Sequence, residues 1–358
     1  MVFDDVLIIK NGKNQKAVEN PNGKYPIYGS GGIMGYADAY ICNANTVIVG
    51  RKGSINNPIF VEEPFWNVDT AFGLEANQEL LLPKYLFYFC KHFDFEQLNK
   101  AVTIPSLTKG DLLKIEINLP VIDEQKIIVD RLSRIQKTIE MYQQQLQKYD
   151  DLIKSRFVEM FGDMVLNTND WEKLALGTIC DVRDGTHDSP QYYQEGYPLV
   201  TSKNVTGGKL DLNGCSLICK DDYDKINQRS KVNTGDILMP MIGTVGKPVI
   251  VDIDAEFAIK NVALIKFKDN SSVLNIFVCF LLQSNYFEDT VLNKVRGGTQ
   301  KFISLGDIRK FMVVVPPMEL QEKFADFVAQ VDKSKVAIQA ALDKTQLLFD
   351  SLMQEYFG

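Results

Sequence analysis

Leu119-Pro120-Val121-Ile122-Asp123-Glu124-Gln125 returns 196 residues later as Val315-Pro316-Pro317-Met318-Glu319-Leu320-Gln321. Without a gap, Ser155, Glu159, Phe161 and Gly162 then fall on Ser351, Glu355, Phe357 and Gly358. Upstream, Gly110-Asp111 and Lys114 fall on Gly306-Asp307 and Lys310. The chain is therefore an internal repeat. A duplicated unit implies two-fold pseudo-symmetry, which suits a target that also comes in two halves.

Behind each phrase runs a helical stripe. Ile128, Leu132, Ile135, Ile139, Tyr142, Leu146, Tyr149 and Ile153 alternate spacings of four and three, and Phe157 and Met160 extend them. This is the a/d pattern of a coiled coil. Shifted by 196 it reads Phe324, Val328, Val331, Lys335, Ile338, Leu342, Thr345 and Phe349, then Met353 and Tyr356. Lys335 and Thr345 make the second stripe more polar, and polar seam residues set register or partner number. The prolines mark the helix starts and Gly162 the end of the first. The spacing predicts two helices of roughly 36 residues, about 54 Å long at 1.5 Å per residue. A narrow stripe needs a partner helix, and the other copy is the obvious one. The competing arrangement docks each helix on its own domain. The expected division is a globular part at 1–119, a helix at 120–162, a globular part at 163–315 and a helix at 316–358. Asn167-Thr168-Asn169-Asp170 reads as a polar linker into the second unit.

The globular parts read as mixed, so the expected class is α+β: two globular α/β domains separated by two long helices. Short β-rich runs occur at Thr46-Val47-Ile48-Val49, Ile59-Phe60-Val61, Gly235-Asp236-Ile237-Leu238-Met239 and Pro248-Val249-Ile250-Val251. Gly, Asn and Pro turns bound them. Each part has one helix candidate before its coil, Pro83 to Phe93 and Val273 to Gln283. Weaker echoes tie the two parts together. Val6, Ile9, Lys10 and Gly12 match Ile179, Val182, Arg183 and Gly185, while Tyr25-Pro26 matches Tyr197-Pro198. Phe65, Asp69 and Ala71 match Phe257, Asn261 and Ala263, and Leu98-Asn99-Lys100 matches Leu292-Asn293-Lys294. The offset grows from about 172 to 196 along the repeat, so unit two carries an insertion, mostly between 198 and 257. One scaffold presenting two diverged surfaces is the expectation.

Composition bounds the function. The 358 residues suffice for two cores, and 45% hydrophobic with 24% charged residues is ordinary globular chemistry. No apolar run approaches the ~18–20 residues of a membrane span. Met1-Val2-Phe3-Asp4-Asp5 is no signal peptide, and six scattered cysteines fit a reducing cytoplasm. Cys215 with Cys219, and Cys90 with His92, lack the second ligand pair of a zinc site, so no metal is expected. The net charge of −7 argues mildly against nucleic acid for the chain alone, but it is unevenly spread. Residues 121–162 carry seven acids and seven bases, whereas 317–358 carry seven acids and four bases.

No catalytic constellation stands out. Gly243-Thr244-Val245-Gly246-Lys247-Pro248 is not a Walker loop, because residue 241 is Met and Pro follows the Lys. Gly29-Ser30-Gly31-Gly32-Ile33-Met34-Gly35 lacks dinucleotide-loop spacing and reads as a turn. Asn57-Pro58-Ile59-Phe60 resembles the Asn-Pro-Pro-aromatic motif of amino-methyltransferases, but the second Pro is missing and no glycine-rich cofactor loop precedes it. Asp150-Asp151 and Glu62-Glu63 read as solvated carboxylates. What remains is basic and amide-rich loops. In unit one these hold Lys10, Asn11, Lys13, Asn14 and Gln15, then Arg51, Lys52, Ser54 and Asn56. In unit two they hold Arg183, Thr186 and His187, then Ser202, Lys203 and Asn204, with Lys247, Arg296, Thr299, Gln300 and Lys301. Lysines suit phosphates, and Arg, Asn and Gln suit base edges. Any one of these residues is equally at home in an ordinary solvated loop. As a set, at equivalent places in two units, they point to binding.

At this point the chain resembles the specificity subunits of type I restriction-modification enzymes, over essentially its whole length. The two Pro-led phrases carry the likeness, with Phe161-Gly162-Asp163 followed by Trp171 and Leu174, and Gly235-Asp236-Ile237-Leu238 running to Gly243-Thr244-Val245-Gly246. Tyr25-Pro26-Ile27-Tyr28-Gly29-Ser30-Gly31-Gly32 with Gly50-Arg51-Lys52-Gly53-Ser54 resembles a common first-domain variant. The resemblance implies two target recognition domains joined by two long antiparallel coiled-coil helices, each domain reading one half of a split DNA site. It implies that the helices set the unread spacer and dock methyltransferase subunits. It further implies a non-catalytic role in host defence beside double-stranded DNA, two methyltransferase subunits and two restriction (motor and nuclease) subunits. S-adenosylmethionine, ATP and Mg would belong to those partners, as would adenine methylation. Unit one lacks the Trp171-type lead-in, so a shortened or alternatively started amino terminus is expected. A coiled-coil protein–protein scaffold without DNA readout, and a stand-alone methyltransferase, are the competing readings.

Overall fold

The computed structural model describes residues 1–101, 103–206, 208–242, 247–294 and 302–358. They form two compact units, one of residues 1–145 with 338–358, the other of 146–337. Each unit thus holds one globular part and portions of both long helices.

The globular parts share one topology. In the first, a four-stranded antiparallel sheet runs in the order Leu7–Asn11, Ala71–Ala76, Thr46–Gly50, Ile59–Val61. In the second, the order is Asp181–Asp184, Val262–Lys266, Ile237–Pro240, Val249–Ile250, again antiparallel. A second sheet repeats as well: Gly32–Ala37, Tyr25–Gly29, Trp66–Asn67 in one unit and Ser216–Ile218, Tyr197–Val200, Ala258–Ile259 in the other. Its outer pairing is antiparallel and its inner pairing parallel in both. The insertion expected in unit two is the hairpin Val205–Thr206/Lys209–Leu210 and the helix Lys220–Ser230.

The apolar runs at Thr46–Gly50 and Ile237–Pro240 are buried along their whole length, because each strand has a core on both faces. Val47 and Val49 face Phe72, Leu74, Tyr85 and Phe89, while Ile48 faces Cys42 and Phe65. Ile237 and Met239 join the core with Phe277, whereas Leu238 joins that of Val200 and Phe257. The first strand of each four-stranded sheet lies on an edge, and a basic side chain caps it. Lys109 donates to the Ile9 carbonyl at 2.9 Å, and the Arg309 guanidinium donates to that of Val182 at 2.6 and 3.1 Å.

The long helices span Ile122–Phe161 and Met318–Phe357, 40 residues each. They exceed the 36 expected from the heptads because both extra ends are packed. Phe161 lies against Phe277 and Phe324 with ring centroids 4.9 and 5.5 Å away, and Phe357 lies 5.1 Å from Tyr85. Gly162 follows with φ +69°, the left-handed stop expected of it.

The seam pairs antiparallel within each unit. In the first, Leu132 and Ile139 pack with Phe349 and Met353, flanked by Ile128, Ile135 and Leu342. In the second, Ile153, Phe157 and Phe161 pack with Phe324, Val328 and Val331. Leu146 and Ile338 are half-buried. The two arrangements weighed from the sequence coexist, since each seam is also docked on a domain helix, Pro83–His92 or Asn275–Leu282. Polar Lys335 is answered by Asp150 at 2.6 Å, and Thr345 donates to its own helix at Ala341.

The repeated glutamines explain the phrase that opens each helix. Gln125 and Gln321 are fully buried. Gln125 Oε1 accepts from Leu82 N–H at 2.8 Å, and its Nε2 donates to the carbonyls of Leu80 and Pro120 at 2.8 and 2.9 Å. Gln321 does the same with Leu274 N–H, Ser272 and Pro316, at 2.8, 3.0 and 2.8 Å. Leu82 and Leu274 are the N-caps of the two domain helices and have no capping side chain of their own. Each glutamine thus supplies from the long helix the back-reaching acceptor of a capping box.

Candidate nucleic-acid interface

In each sheet, one end gathers the loops singled out in the sequence. Asn11 pairs with Phe72 and Gly50 with Ala71, so the loops after both strands leave at the same end. There the Thr70 carbonyl accepts from Arg51 and Lys52 N–H at 2.8 and 3.2 Å, and Lys13 N–H donates to Asn67 at 2.8 Å. Gly12 makes this turn possible, because a Cβ on it would sit 1.7 Å from the Val68 carbonyl oxygen. Gly185 repeats the constraint against Ile259 at 2.0 Å. In unit two, Asp184 pairs with Ala263 and Pro240 with Val262, placing the same loops at the same end.

At this end of unit one, Asn11, Lys13, Asn14, Arg51, Lys52 and Ser54 are exposed and Gln15 is half-buried. Arg51 lies over the Phe72 ring, 5.8 Å from its centroid. The hairpin tip at Ser30 and the loop at Pro105-Ser106 join them: Ser30 Oγ reaches the Lys52 carbonyl at 3.4 Å, and Gly53 N–H donates to Pro105 at 3.0 Å. Two expected members are taken up by the fold. Lys10 faces Glu75 at 4.0 Å. Asn56 spends both ends of its amide, donating to Asp94 at 2.7 Å and accepting from Phe95 N–H at 2.6 Å.

In unit two, Ser202, Lys203 and Asn204 line a cleft of about 690 Å³ with Tyr192, Thr206, Gly214, Ser216, Lys260 and Asn261. Among the described residues its lining holds two lysines and no carboxylate, although the chain as a whole is acidic. Asn204 Oδ1 accepts from Thr201 and fixes the turn. Lys260 donates to Ser189 at 2.6 Å. Thr186 N–H donates to Ile259 at 3.0 Å, and the exposed His187 ring bridges Asn261 Oδ1 and Asp184 Oδ2 at 2.7 and 2.9 Å. Arg183 departs from expectation. It sits within the strand, binds Asp181 at 2.5 and 2.8 Å, and donates to the Arg229 carbonyl. The Arg183–Asp181 hydrogen bond holds the Asp181 carboxyl below its usual range and raises the guanidinium. Lys247 is exposed just before Val249–Ile250. Arg296, Thr299, Gln300, Lys301 and Gly243-Thr244-Val245-Gly246 lie outside the described residues.

Tyr192, Lys260 and Asn261 were not picked out as binding residues from the sequence. The one available signal was the echo of Asp69 in Asn261, two turns at the same end of the sheet. The Asn57-Pro58-Ile59-Phe60 resemblance dissolves into packing, since Phe60 is 5.7 Å from the Phe87 ring and under Lys84. Among the described residues no group of His, Cys, Asp and Glu could hold a metal ion, and no helix is long and apolar enough to cross a membrane.

Comparison with known proteins agrees with this architecture. The family described as "Type I restriction modification DNA specificity domain" matches residues 2–148 and 168–346. The type I restriction enzyme EcoBI specificity subunit of Escherichia coli is 22% identical, over 89% of this chain and 74% of its own. The MjaVIII specificity subunit of Methanocaldococcus jannaschii is 24% identical, over 82% and 73%. The crystal structure of a type I restriction-modification system S subunit from M. genitalium shares the fold, with a TM-score of 0.62 at 19% identity, covering 100% of this chain and 95% of that one. A repeated fold, with the family matched over both halves, makes this chain a member of the type I restriction-modification DNA specificity family.

Proposed function

We propose that the chain directs a type I restriction-modification complex to a split DNA site, with residues 1–119 and 163–315 each reading one half. One observation carries this: the same end of the same sheet, in both units, bears loops that share a scaffold but not a sequence. Lysines there hold phosphates, and Arg, Asn and Gln side chains meet base edges. In this reading the seam helices 120–162 and 316–358 set the unread spacer and dock two methyltransferase subunits, and two motor and nuclease subunits complete the assembly. Adenine methylation, with S-adenosylmethionine, ATP and Mg, belongs to those partners, and the chain works in the cytoplasm.

The cleft of unit two that Lys203 and Lys260 line gives a direct test. Replacing Lys203 and Lys260 by Glu is expected to weaken binding of the assembled complex to target DNA at least tenfold, and to flatten the salt dependence by about one unit of slope per lysine. Titrations at several salt concentrations read both quantities. Unchanged affinity and slope would remove DNA from this cleft and favour the scaffold reading.

A further inference from the structure

The second sheet of unit one carries an irregularity that DNA phosphate binding does not use. Tyr28 pairs with Ile33 while Ile27 pairs with Gly35, so Met34 is an extra residue in its strand. Such a bulge re-aims side chains. Ile33 is 56% exposed and Met34 62% exposed, and neither belongs to a core cluster. Two large apolar side chains in succession are thus more than half exposed on a short hairpin, with the Met34 sulfur lying over Gly29. Their place is specific. The hairpin tip touches the Arg51-Lys52 loop through Ser30, and the Tyr28 carbonyl accepts from Val68 N–H at 2.9 Å, beside the Asp69-Thr70 turn. Exposed Lys13, Arg51 and Lys52 share that end.

Unit two lacks the feature. Its counterpart pairs Tyr197, Pro198 and Leu199 with Ile218, Leu217 and Ser216 without a break, and Gly214 and Ser216 there line the polar cleft. The two units share the scaffold and differ at this point.

An apolar pair on a hairpin whose tip touches the exposed Arg51-Lys52 loop suits a double helix, whose phosphates that loop would hold. Minor-groove binders place Ile, Met, Leu or Phe between base steps, with basic side chains on the flanking phosphates. We propose that Ile33 and Met34 form a wedge that enters the minor groove at the first half-site and partly unstacks one base step. The proposal rests on unit one reading DNA, as set out above. It gives that unit a means of selection that needs no hydrogen bond: an easily unstacked pyrimidine–purine step is favoured over a stiff one.

The test uses the full chain assembled with its methyltransferase subunits. The probe is a duplex bearing the methylated motif, with single 2-aminopurine substitutions through the first half-site. One step is expected to brighten when the complex binds. The double variant Ile33→Ala, Met34→Ala should lose that brightening and about tenfold in affinity for the motif, with an unchanged salt slope. Met34→Leu should keep both, and an unchanged melting temperature shows that the variants fold. No brightening at any step with the native chain, or brightening that survives the double variant, would overturn the wedge. A double variant that binds DNA normally but fails to hold the methyltransferase subunits would reassign the patch to a protein partner and overturn it too. The reading beneath is checked separately with Lys52→Glu: no change in affinity or salt slope would mean that unit one does not hold DNA at this end, whatever the hairpin does.

Discussion

Deleting one heptad from each long helix, residues 139–145 together with 336–342, is expected to end methylation of the native DNA motif. The deletion keeps the four-and-three alternation of the seam, so the helices still pair. It leaves the Lys335–Asp150 contact intact. Each helix loses about 10 Å, the rise of about three base pairs. If the helices set the spacer, both half-sites of the native motif can no longer be engaged together, and affinity for it should fall by about a hundredfold or more. A motif with the same two halves and a spacer shorter by about three base pairs should replace it, or site-specific binding should cease. Native spacing at full activity would mean that the seam is no ruler.

Gln321→Leu is expected to cost the second unit about 3–5 kcal/mol of stability, and Gln125→Leu the first unit as much. Leucine fills nearly the same space but takes the partner from one N–H and two carbonyls that are partly or fully buried. An orphaned buried group costs about 1–3 kcal/mol. Whole-domain stabilities are only ~5–15 kcal/mol, so such a loss brings a unit close to unfolding at growth temperature. Urea unfolding followed by hydrogen exchange at the start of Pro83–His92 and Asn275–Leu282 reads it locally. A loss under about 1 kcal/mol would mean that the backbone finds other partners.

Much of this fold is legible in the chain because it is written twice and in regular periods. The seam is visible from Ile128 to Ile153 since a heptad repeats whatever surrounds it. The helix ends are less so: Phe161 and Phe357 extend the helices through contacts with rings more than a hundred residues away. The same limit hides the glutamines. Their recurrence is obvious, but their partners lie 43 and 47 residues upstream, and no local spacing reveals them.

The interface divides in the same way. Loop composition picks out Lys13, Arg51, Lys52, Ser202, Lys203 and Asn204 as candidates, and the fold gathers them at one end of each unit. Composition cannot tell which polar groups the fold has already engaged. Asp94 takes Asn56 and Glu75 faces Lys10, both far off in sequence, while Asp181 takes Arg183 from two residues away along one strand. Conversely, Tyr192, Lys260 and Asn261 sit in unremarkable runs; Lys260 and Asn261 reach the cleft through the pairing of Tyr197–Val200 with Ala258–Ile259, and Tyr192 through the bridge of Tyr193 to Leu217.

The central claim is that each half of the duplicated chain reads one half of a split DNA site. Its most direct test replaces residues 1–119 with the first recognition domain of another family member and sequences the methylated adenines of cells carrying the native and exchanged chains. The expected result is a bipartite motif in which one half changes while the other half and the spacer stay. A change in both halves, or in neither, would contradict it.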